Sequence, residues 1–156
     1  MRAPGRRRLG PLVAGLAALC ACAGPSPPAA RPNLLVVTVD TLRADRVGAY
    51  SAKHVRTPNI DRLAARGTVF KRAYAHCTTT LPAHASLFLG ATPLRHGVHD
   101  NANFTVRREL LTLAEHLKAA GYATGGFIGG FPLESRFGLD QGCDAYDDRL
   151  DRVGPT

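Results

Sequence analysis

The segment whose side chains are the strongest candidates for catalysis contains three consecutive threonines, followed by a leucine and a proline. Residues 78–82 read Thr-Thr-Thr-Leu-Pro, and without the alternation of a strand they are predicted to form a polar loop that runs into a short helix. A hydroxyl at a helix start faces unpaired backbone N–H groups and the positive end of the helix dipole, where a phosphoryl group or another anion is held. Threonines at such positions are also common helix caps, so composition alone leaves both interpretations open.

A carboxylate follows a largely aliphatic run. Residues 33–39, Asn-Leu-Leu-Val-Val-Thr-Val, are typical of a strand buried on both faces of a parallel sheet. Asp40 comes directly afterwards, at the carboxyl end of the predicted strand, where open α/β sheets place their sites. Asp40 is therefore a candidate functional residue, although a single aspartate here could also cap the next turn.

The elements that must position these residues alternate between helix and strand. Residues 57–67 predict a helix with an N-cap, a proline in its first turn and a glycine stop, and residues 112–120 predict a helix opened by a capping box. Residues 68–74 and 122–128 predict strands. This order is typical of an α/β fold with a doubly wound, mostly parallel sheet. The expected apolar residues of the first helix and its following strand are Ile60, Leu63, Ala64, Val69 and Phe70.

Composition indicates one globular domain. The 156 residues are 45% hydrophobic and 21% charged, which excludes collagen-like, disulfide-scaffold and wholly disordered chains. The formal net charge is +8, but four arginines lie within the first eight residues, and without them it falls to +4. Since no basic and aromatic interleaving accompanies the remaining charge, no nucleic-acid partner is expected.

The amino terminus predicts export. Residues 1–21 combine a basic start with an apolar core too short to span a membrane comfortably, as in a signal peptide. A small residue before Cys22 resembles a bacterial lipoprotein cleavage box, with Cys22 as the lipidated residue, while ordinary cleavage without a lipid stays open. Residues 22–32 are proline-rich and predict a tether. The expected location is the bacterial periplasm or cell envelope, with the lipid anchor in the membrane.

Two cysteines, Cys77 and Cys143, lie outside this leader. An oxidising compartment would permit a disulfide between them, and two unpaired buried thiols are an equally open alternative. Their spacing does not match a zinc site.

Ordered blocks along the chain resemble the amino-terminal part of sulfatases within the alkaline phosphatase superfamily. The blocks are Arg31-Pro32-Asn33 leading to Val39-Asp40, Thr57 to Leu63, Leu81 to Leu87, Gly121 to Thr124, and Phe137 to Asp144. The resemblance implies a metal-activated nucleophile that displaces the ester alcohol, after which water releases the bound phosphate or sulfate. Asp40 matches the first metal-binding aspartate of the family, and Thr80 matches the nucleophile, which is also a ligand of the divalent ion (Zn, Ca, Mn or Mg).

The chain departs from the sulfatase pattern at its most characteristic point. Sulfatases have Cys-x-Pro-x-Arg or its serine counterpart, in which the first residue is oxidised to formylglycine, whereas residues 80–84 read Thr-Leu-Pro-Ala-His. Threonine cannot supply that aldehyde hydrate. Thr41 stands in place of the adjacent second aspartate, and Gly129-Gly130 offers no counterpart of the sulfate-binding lysine and histidine.

The chain resembles the nucleotide pyrophosphatase/phosphodiesterase branch of the superfamily instead, through Thr80-Leu81-Pro82-x-His84 followed by Pro93, His96-Gly97-Val98 and Asp100-Asn101. That resemblance implies that unmodified Thr80 attacks and that Asn101 binds a phosphoryl oxygen, a role suited to an amide N–H donor. His84 is expected either to touch the substrate or to orient the loop as a structural histidine. His96 and His99 are not assigned as metal ligands, and Asp100 is expected to shape the turn beside Asn101.

The sequence therefore predicts an exported, metal-dependent hydrolase of phosphate or sulfate esters, with phosphate favoured and a small-molecule or envelope ester as substrate. A transferase that moves a phosphoalcohol group onto an envelope acceptor and a noncatalytic lipoprotein that retains the fold stay open as alternatives. The Asp-His pair that completes metal sites in the superfamily has no counterpart after Asp100. The chain is accordingly interpreted as the amino-terminal part of a longer catalytic domain, residues 33–156, and is expected to be inactive alone.

Overall fold

The computed structural model of the protein describes residues 31–51 and 55–150. The predicted signal peptide, the lipidation site at Cys22 and most of the predicted tether lie outside these residues. Residues up to Thr38 and residues from Val39 onward belong to two separate units. None of the described residues belongs to a helix long and apolar enough to cross a membrane.

The second unit contains five helices, two strands and three short 3₁₀ turns among its described residues. The helices are α1 (Gly48–Ser51), α2 (Pro58–Arg66), α3 (Thr80–Leu89), α4 (Pro93–His96) and α5 (Leu113–Ala119), the strands are β1 (Gly125–Phe127) and β2 (Ala145–Asp147), and the 3₁₀ turns span Ala44–Arg46, Phe131–Leu133 and Ser135–Phe137.

The two strands form a small parallel sheet, which together with the helices confirms the predicted α/β class. Gly125 lies opposite Ala145 and Phe127 lies opposite Asp147. The strand predicted for residues 122–128 is therefore shorter than expected. At its centre a Cβ on Gly126 would lie 2.6 Å from the ring of Tyr146, so glycine permits this close approach of the two strands.

Two strand predictions are wrong for the described residues. Residues 33–39 belong to no strand, and their side chains are exposed, Leu35 by 85%. Residues 68–74 include a turn instead of a strand, with Phe70 exposed by 70%. A strand exists only through hydrogen bonds to a neighbour, and among the described residues the ladder joins β1 to β2 alone.

Both helix predictions from local signals are confirmed. Helix α2 begins at Pro58 and is followed by Gly67, and helix α5 begins with the predicted capping box. In that box Thr112 Oγ1 accepts the Glu115 N–H at 3.1 Å, and Glu115 Oε2 accepts the Thr112 N–H at 2.8 Å.

The expected apolar stripe of α2 is not buried. Ile60 is exposed by 42% and Leu63 by 73%. The helix instead contacts α1 through polar groups, because Asp61 Oδ1 accepts hydrogen bonds from the Ala49 N–H and from Thr57 Oγ1, both at 2.9 Å. Thr57 consequently serves this polar contact and makes no side-chain cap on α2.

The hydrophobic core lies against one face of α3. Its buried members come from α3, from the loop that follows α4 and from the segment around the last 3₁₀ turn. They are Leu81, Ala85, Val98, Val106, Phe137 and Leu139. The start of α3 is therefore part of the buried core through Leu81.

Candidate active site

Thr80 is the first residue of α3 and is followed by two fully buried residues, Leu81 and Pro82. Leu81 has no exposed surface, and the Ala83 N–H donates to the Thr79 carbonyl oxygen at 3.2 Å, closing the first turn. Thr80 itself is partly exposed, and its Oγ1 donates a hydrogen bond to Asp40 Oδ2 at 3.0 Å. The structure thus joins two predicted site residues that lie forty positions apart.

Asp40 lies in a turn and is exposed. The next residue, Thr41, has φ +56°, and it is the one non-glycine residue with positive φ in the described part of the chain. A β-branched side chain rarely adopts this left-handed conformation. The backbone therefore reverses at a strained corner directly after the carboxylate, and not at the end of a paired strand as the sequence predicts.

Asn101 contacts the start of the same helix from a loop. Its Oδ1 accepts the Leu81 N–H at 2.8 Å, which satisfies one of the donors that a helix leaves unpaired at its first turn. The Nδ2 group makes no hydrogen bond with any residue that the structure describes. Two N–H donors of Asn101 are therefore left for a ligand or for water.

Asp100 organises the turn that carries Asn101. Its Oδ1 accepts the N–H groups of Ala102 and Asn103 at 2.8 Å, and its Oδ2 accepts from Asn103 Nδ2 at 2.9 Å. These hydrogen bonds lower the pKa of Asp100, the backbone N–H of Asn103 contributing most. The geometry agrees with the expectation that Asp100 shapes the turn.

His84 lies one helical turn after Thr80 and is 7% exposed. Its Nδ1 lies 2.8 Å from the Thr80 carbonyl oxygen, and because a carbonyl can only accept, Nδ1 carries the hydrogen. The ring also lies beside Phe88, with 6.3 Å between centroids. This contact is made with the backbone of the candidate nucleophile and not with its hydroxyl, so it holds the first turn of α3 in place.

The candidate metal ligands provide oxygen donors of the right type but not a complete set. Asp40 and Thr80 supply a carboxylate and a hydroxyl oxygen, which suit a hard divalent cation, whereas Mg²⁺ takes about six ligands and Ca²⁺ about six to eight. No group of three histidine, cysteine, aspartate or glutamate side chains could hold a metal among the described residues. Asp40 and Thr80 alone do not make a whole metal site.

The two cysteines outside the predicted leader are both free thiols. Cys77 Sγ lies 3.3 Å from Thr79 Oγ1, and hydrogen bonding, mainly from the Thr79 side chain, lowers the pKa of Cys77. Burial raises the pKa of Cys143. The structure therefore has no disulfide between them.

One contact near the site was not anticipated from the sequence. Ser86 is buried in α3, and its Oγ bonds both to the Pro82 carbonyl oxygen at 2.8 Å and to His96 Nε2 at 3.0 Å. A serine inside an apolar helix commonly bonds the carbonyl four residues before it, which is the available signal in the sequence. The sequence offers no comparable signal for the partner ten positions away.

Comparison with known proteins places these observations in a family. The sequence model of the Sulfatase family matches residues 32–150, so the chain belongs to the sulfatase family. The resemblance inferred from the ordered blocks is thereby confirmed. The roles of Thr80, Asn101, His84 and Asp40 stay predictions, which the geometry makes specific.

Individual relatives agree. The chain is 35% identical to an N-acetylgalactosamine-6-O-sulfatase of Bacteroides thetaiotaomicron over 76% of its own length and 25% of the relative's. It is 35% identical to arylsulfatase A of Bos taurus over 73% and 22%, respectively. The solved structure of a 2-O GAG sulfatase superposes with a TM-score of 0.58 and 28% identity over 68% of this chain and 23% of that one. The chain thus spans about a quarter of the length of these relatives.

Proposed function

We propose that the whole protein is an ester hydrolase of the sulfatase family in which Thr80 Oγ1 attacks the phosphorus or sulfur atom of an ester. The main structural support for this proposal is the 3.0 Å hydrogen bond from Thr80 Oγ1 to Asp40 Oδ2 at the start of α3. The hydroxyl hydrogen is directed at the carboxylate, so the lone pairs of Oγ1 face elsewhere and are available to a substrate. The partial exposure of Thr80 gives a substrate access to them.

The reaction proceeds in two displacements. In the first, a bond forms from Thr80 Oγ1 to the central atom, Asp40 Oδ2 receives the hydroxyl proton, and the bond to the ester alcohol breaks. The departing alkoxide takes a proton from solvent. In the second, water attacks the same central atom and loses a proton to solvent, the bond to Thr80 Oγ1 breaks to release phosphate or sulfate, and Asp40 returns the proton to Thr80 Oγ1.

The amide of Asn101 and the ring of His84 have different parts in this proposal. Asn101 is fixed through its Oδ1 to the Leu81 N–H, which leaves Nδ2 to donate to an oxygen of the transferring group as negative charge grows there. His84 holds the carbonyl oxygen of Thr80 and so orients the nucleophile's backbone. We assign His84 a positioning role, while direct contact with the substrate is the alternative that the sequence left open.

Divalent-metal dependence is general in the sulfatase family and is part of the proposal. Asp40 and Thr80 are the described residues that would contribute ligands. When bound, such a cation lowers the pKa of a coordinated hydroxyl and neutralises negative charge on the transferring group. Further ligands would be needed to complete such a site.

Phosphate esters are the proposed substrates because a threonine cannot be oxidised to the formylglycine aldehyde that sulfatases use. The names of the relatives, an N-acetylgalactosamine-6-O-sulfatase and an arylsulfatase, favour sulfate esters as the second candidate. A panel of p-nitrophenyl phosphate, bis-p-nitrophenyl phosphate and p-nitrophenyl sulfate, assayed with the metal varied, separates the two. Higher kcat/KM on the sulfate ester would overturn the preference for phosphate.

The nucleophile is tested with Thr80→Ala in the whole protein, with Thr78→Ala as the matched control because that threonine is exposed in the same loop. Thr80→Ala should abolish turnover, and Thr78→Ala should preserve it. Acid quenching during turnover should leave a phosphoryl group on the peptide that contains Thr80. Unchanged rates in Thr80→Ala, or a label on another side chain, would refute the mechanism. Transfer of the labelled group to an alcohol instead of water would identify the transferase alternative, and a lack of turnover on every ester would identify the noncatalytic one.

Export and lipidation are proposed from the sequence of the leader. The basic, apolar start and the small residue before Cys22 support a lipid-anchored envelope protein. Labelling with a radioactive fatty acid should mark the protein and not its Cys22→Ser variant. Equal labelling of the two would contradict the assignment of Cys22.

A further inference from the structure

A closed series of hydrogen bonds joins the first turns of α3 to the loop that carries Asn101. From α3, Ser86 Oγ reaches His96 Nε2 at 3.0 Å, and His96 Nδ1 receives the Val98 N–H at 3.1 Å. Three residues later Asn101 Oδ1 returns to α3 at the Leu81 N–H. The loop from α4 to Asn101 is therefore attached to the same helix at both of its ends.

The hydrogens in this series have a single consistent arrangement. The Val98 N–H can only donate, so His96 Nδ1 must be the unprotonated nitrogen, and the neutral ring then carries its hydrogen on Nε2. That hydrogen is donated to Ser86 Oγ, and the Ser86 hydroxyl donates in turn to the Pro82 carbonyl oxygen at 2.8 Å. Both ring nitrogens of His96 are thus engaged within the protein.

The three central residues of this series are buried, so each of their polar groups needs a partner within the protein. His96 and Val98 have no exposed surface, and Ser86 is 8% exposed. Burial lowers the pKa of His96 below its ordinary value of 6.5, and the charges of His99 and His76 act in the same direction. A neutral ring is required, because a second hydrogen on Nδ1 would face the Val98 N–H.

We infer that His96 is a positioning residue that, through Ser86 and Val98, fixes Asn101 against the turn of Thr80. This inference rests on the proposed function, in which Asn101 donates to the transferring group. His96 makes no hydrogen bond with Thr80 or Asn101, and its effect is carried along the chain from Val98 to Asn101. The hydrogen bond from Leu81 to Asn101 reports whether that position is held.

Two substitutions in the whole protein separate the two hydrogen bonds of His96, one to Val98 and one to Ser86. His96→Asn retains an oxygen acceptor near the place of Nδ1 for the Val98 N–H, whereas His96→Gln retains a donor near the place of Nε2 for Ser86. If the link to Val98 positions the loop, His96→Gln should lower kcat at least about tenfold with KM changed less than about threefold. His96→Asn, which loses the donor to Ser86 Oγ, should lower kcat by a similar factor, because the inference requires both links.

A coupling measurement distinguishes positioning from general destabilisation. In the Asn101→Ala background, His96→Gln should change kcat by less than about twofold, since the group that His96 positions is already absent. Multiplicative losses in the double variant would overturn the inference. Failure of the proposed function has a different signature, because Thr80→Ala would then retain turnover.

Amide hydrogen exchange provides a readout independent of activity. Exchange at the Leu81 N–H should accelerate at least about tenfold in His96→Gln, and it should stay near the wild-type rate in Thr112→Ala. The control removes a buried hydrogen bond from Thr112 Oγ1 to the Gln141 carbonyl oxygen at 2.8 Å, which is not part of the series that joins α3 to Asn101. Unchanged exchange at Leu81 in His96→Gln, or equal acceleration in the control, would overturn the inference. If His96→Gln does not fold, Ser86→Ala is measured in its place by the same criteria.

Discussion

The amide of Asn101 has two separable duties, and a pair of substitutions distinguishes them. Asn101→Ala removes both the acceptor of the Leu81 N–H and the donors on Nδ2. Asn101→Asp retains a carboxylate oxygen as acceptor and removes only the donors. The two variants should therefore differ in stability and agree in their loss of catalysis.

The expected magnitudes follow from the location of the hydrogen bond. The Leu81 N–H is partly buried, and leaving such a donor without an acceptor costs about 1–3 kcal/mol, so Asn101→Ala should lower the free energy of unfolding by that amount. In Asn101→Asp the acceptor persists, and a negative charge near the start of α3 is favourable by about 0.3–1 kcal/mol. Loss of one donor to the transferring group should lower kcat about 10²- to 10³-fold in both variants.

Urea denaturation followed by circular dichroism gives the unfolding free energies, and initial rates on p-nitrophenyl phosphate give kcat and KM. Asn101→Asp with wild-type turnover, beside an inactive Asn101→Ala, would refute the reasoning. The side chain would then serve only as an acceptor for the Leu81 N–H. Equal destabilisation of the two variants would refute the assignment of Oδ1 to that hydrogen bond.

Three other perturbations address the carboxylate, the buried imidazole and the tight turn. Asp40→Asn should reduce kcat and weaken activation by a divalent metal after chelation, which a metal titration of the whole protein measures; an unaltered titration would count against Asp40. Folding lowers the pKa of His96, so the unfolded state binds a proton at this imidazole at a higher pH than the folded state does. The free energy of unfolding should therefore fall as pH drops below about 6.5, by at most about 1.4 kcal/mol per pH unit. Urea titrations at several pH values should show a weaker dependence in His96→Gln, and identical profiles would contradict the assignment. Gly138→Ala should cost about 2 kcal/mol or more in thermal or urea unfolding, since φ is +85° and the new Cβ would lie 2.6 Å from the Val106 carbonyl oxygen; a neutral effect would show that the turn relaxes.

Features encoded within a few residues are the ones that sequence reasoning predicts well. The capping box of Thr112 and the bounds of α2 depend on neighbours three to ten positions apart, and both match the structure. Residues 33–39 show the opposite case. Their aliphatic pattern is compatible with a buried strand, but a strand also needs a hydrogen-bonded neighbour, which no local pattern can identify.

The candidate site divides in the same way. The resemblance to sulfatases predicted roles for Asp40 and Thr80, and the resemblance to the nucleotide pyrophosphatase/phosphodiesterase branch predicted one for Asn101. The sulfatase family is confirmed, but the mutual contacts of these residues depend on the fold. No spacing in the sequence predicts that the Asn101 side chain accepts from the backbone of Leu81. The bond from Ser86 to His96 was missed because it requires two buried polar groups from different helices to meet.

The left-handed turn at Thr41 has a mechanical consequence for its neighbour. A threonine in this conformation stores about 1–2 kcal/mol of torsional strain, which contacts elsewhere in the folded chain must offset. The bend after Asp40 is therefore imposed by the surrounding fold and not by the preference of its own residue. The backbone bend can in this way orient the exposed carboxylate of Asp40 although no side chains bury it.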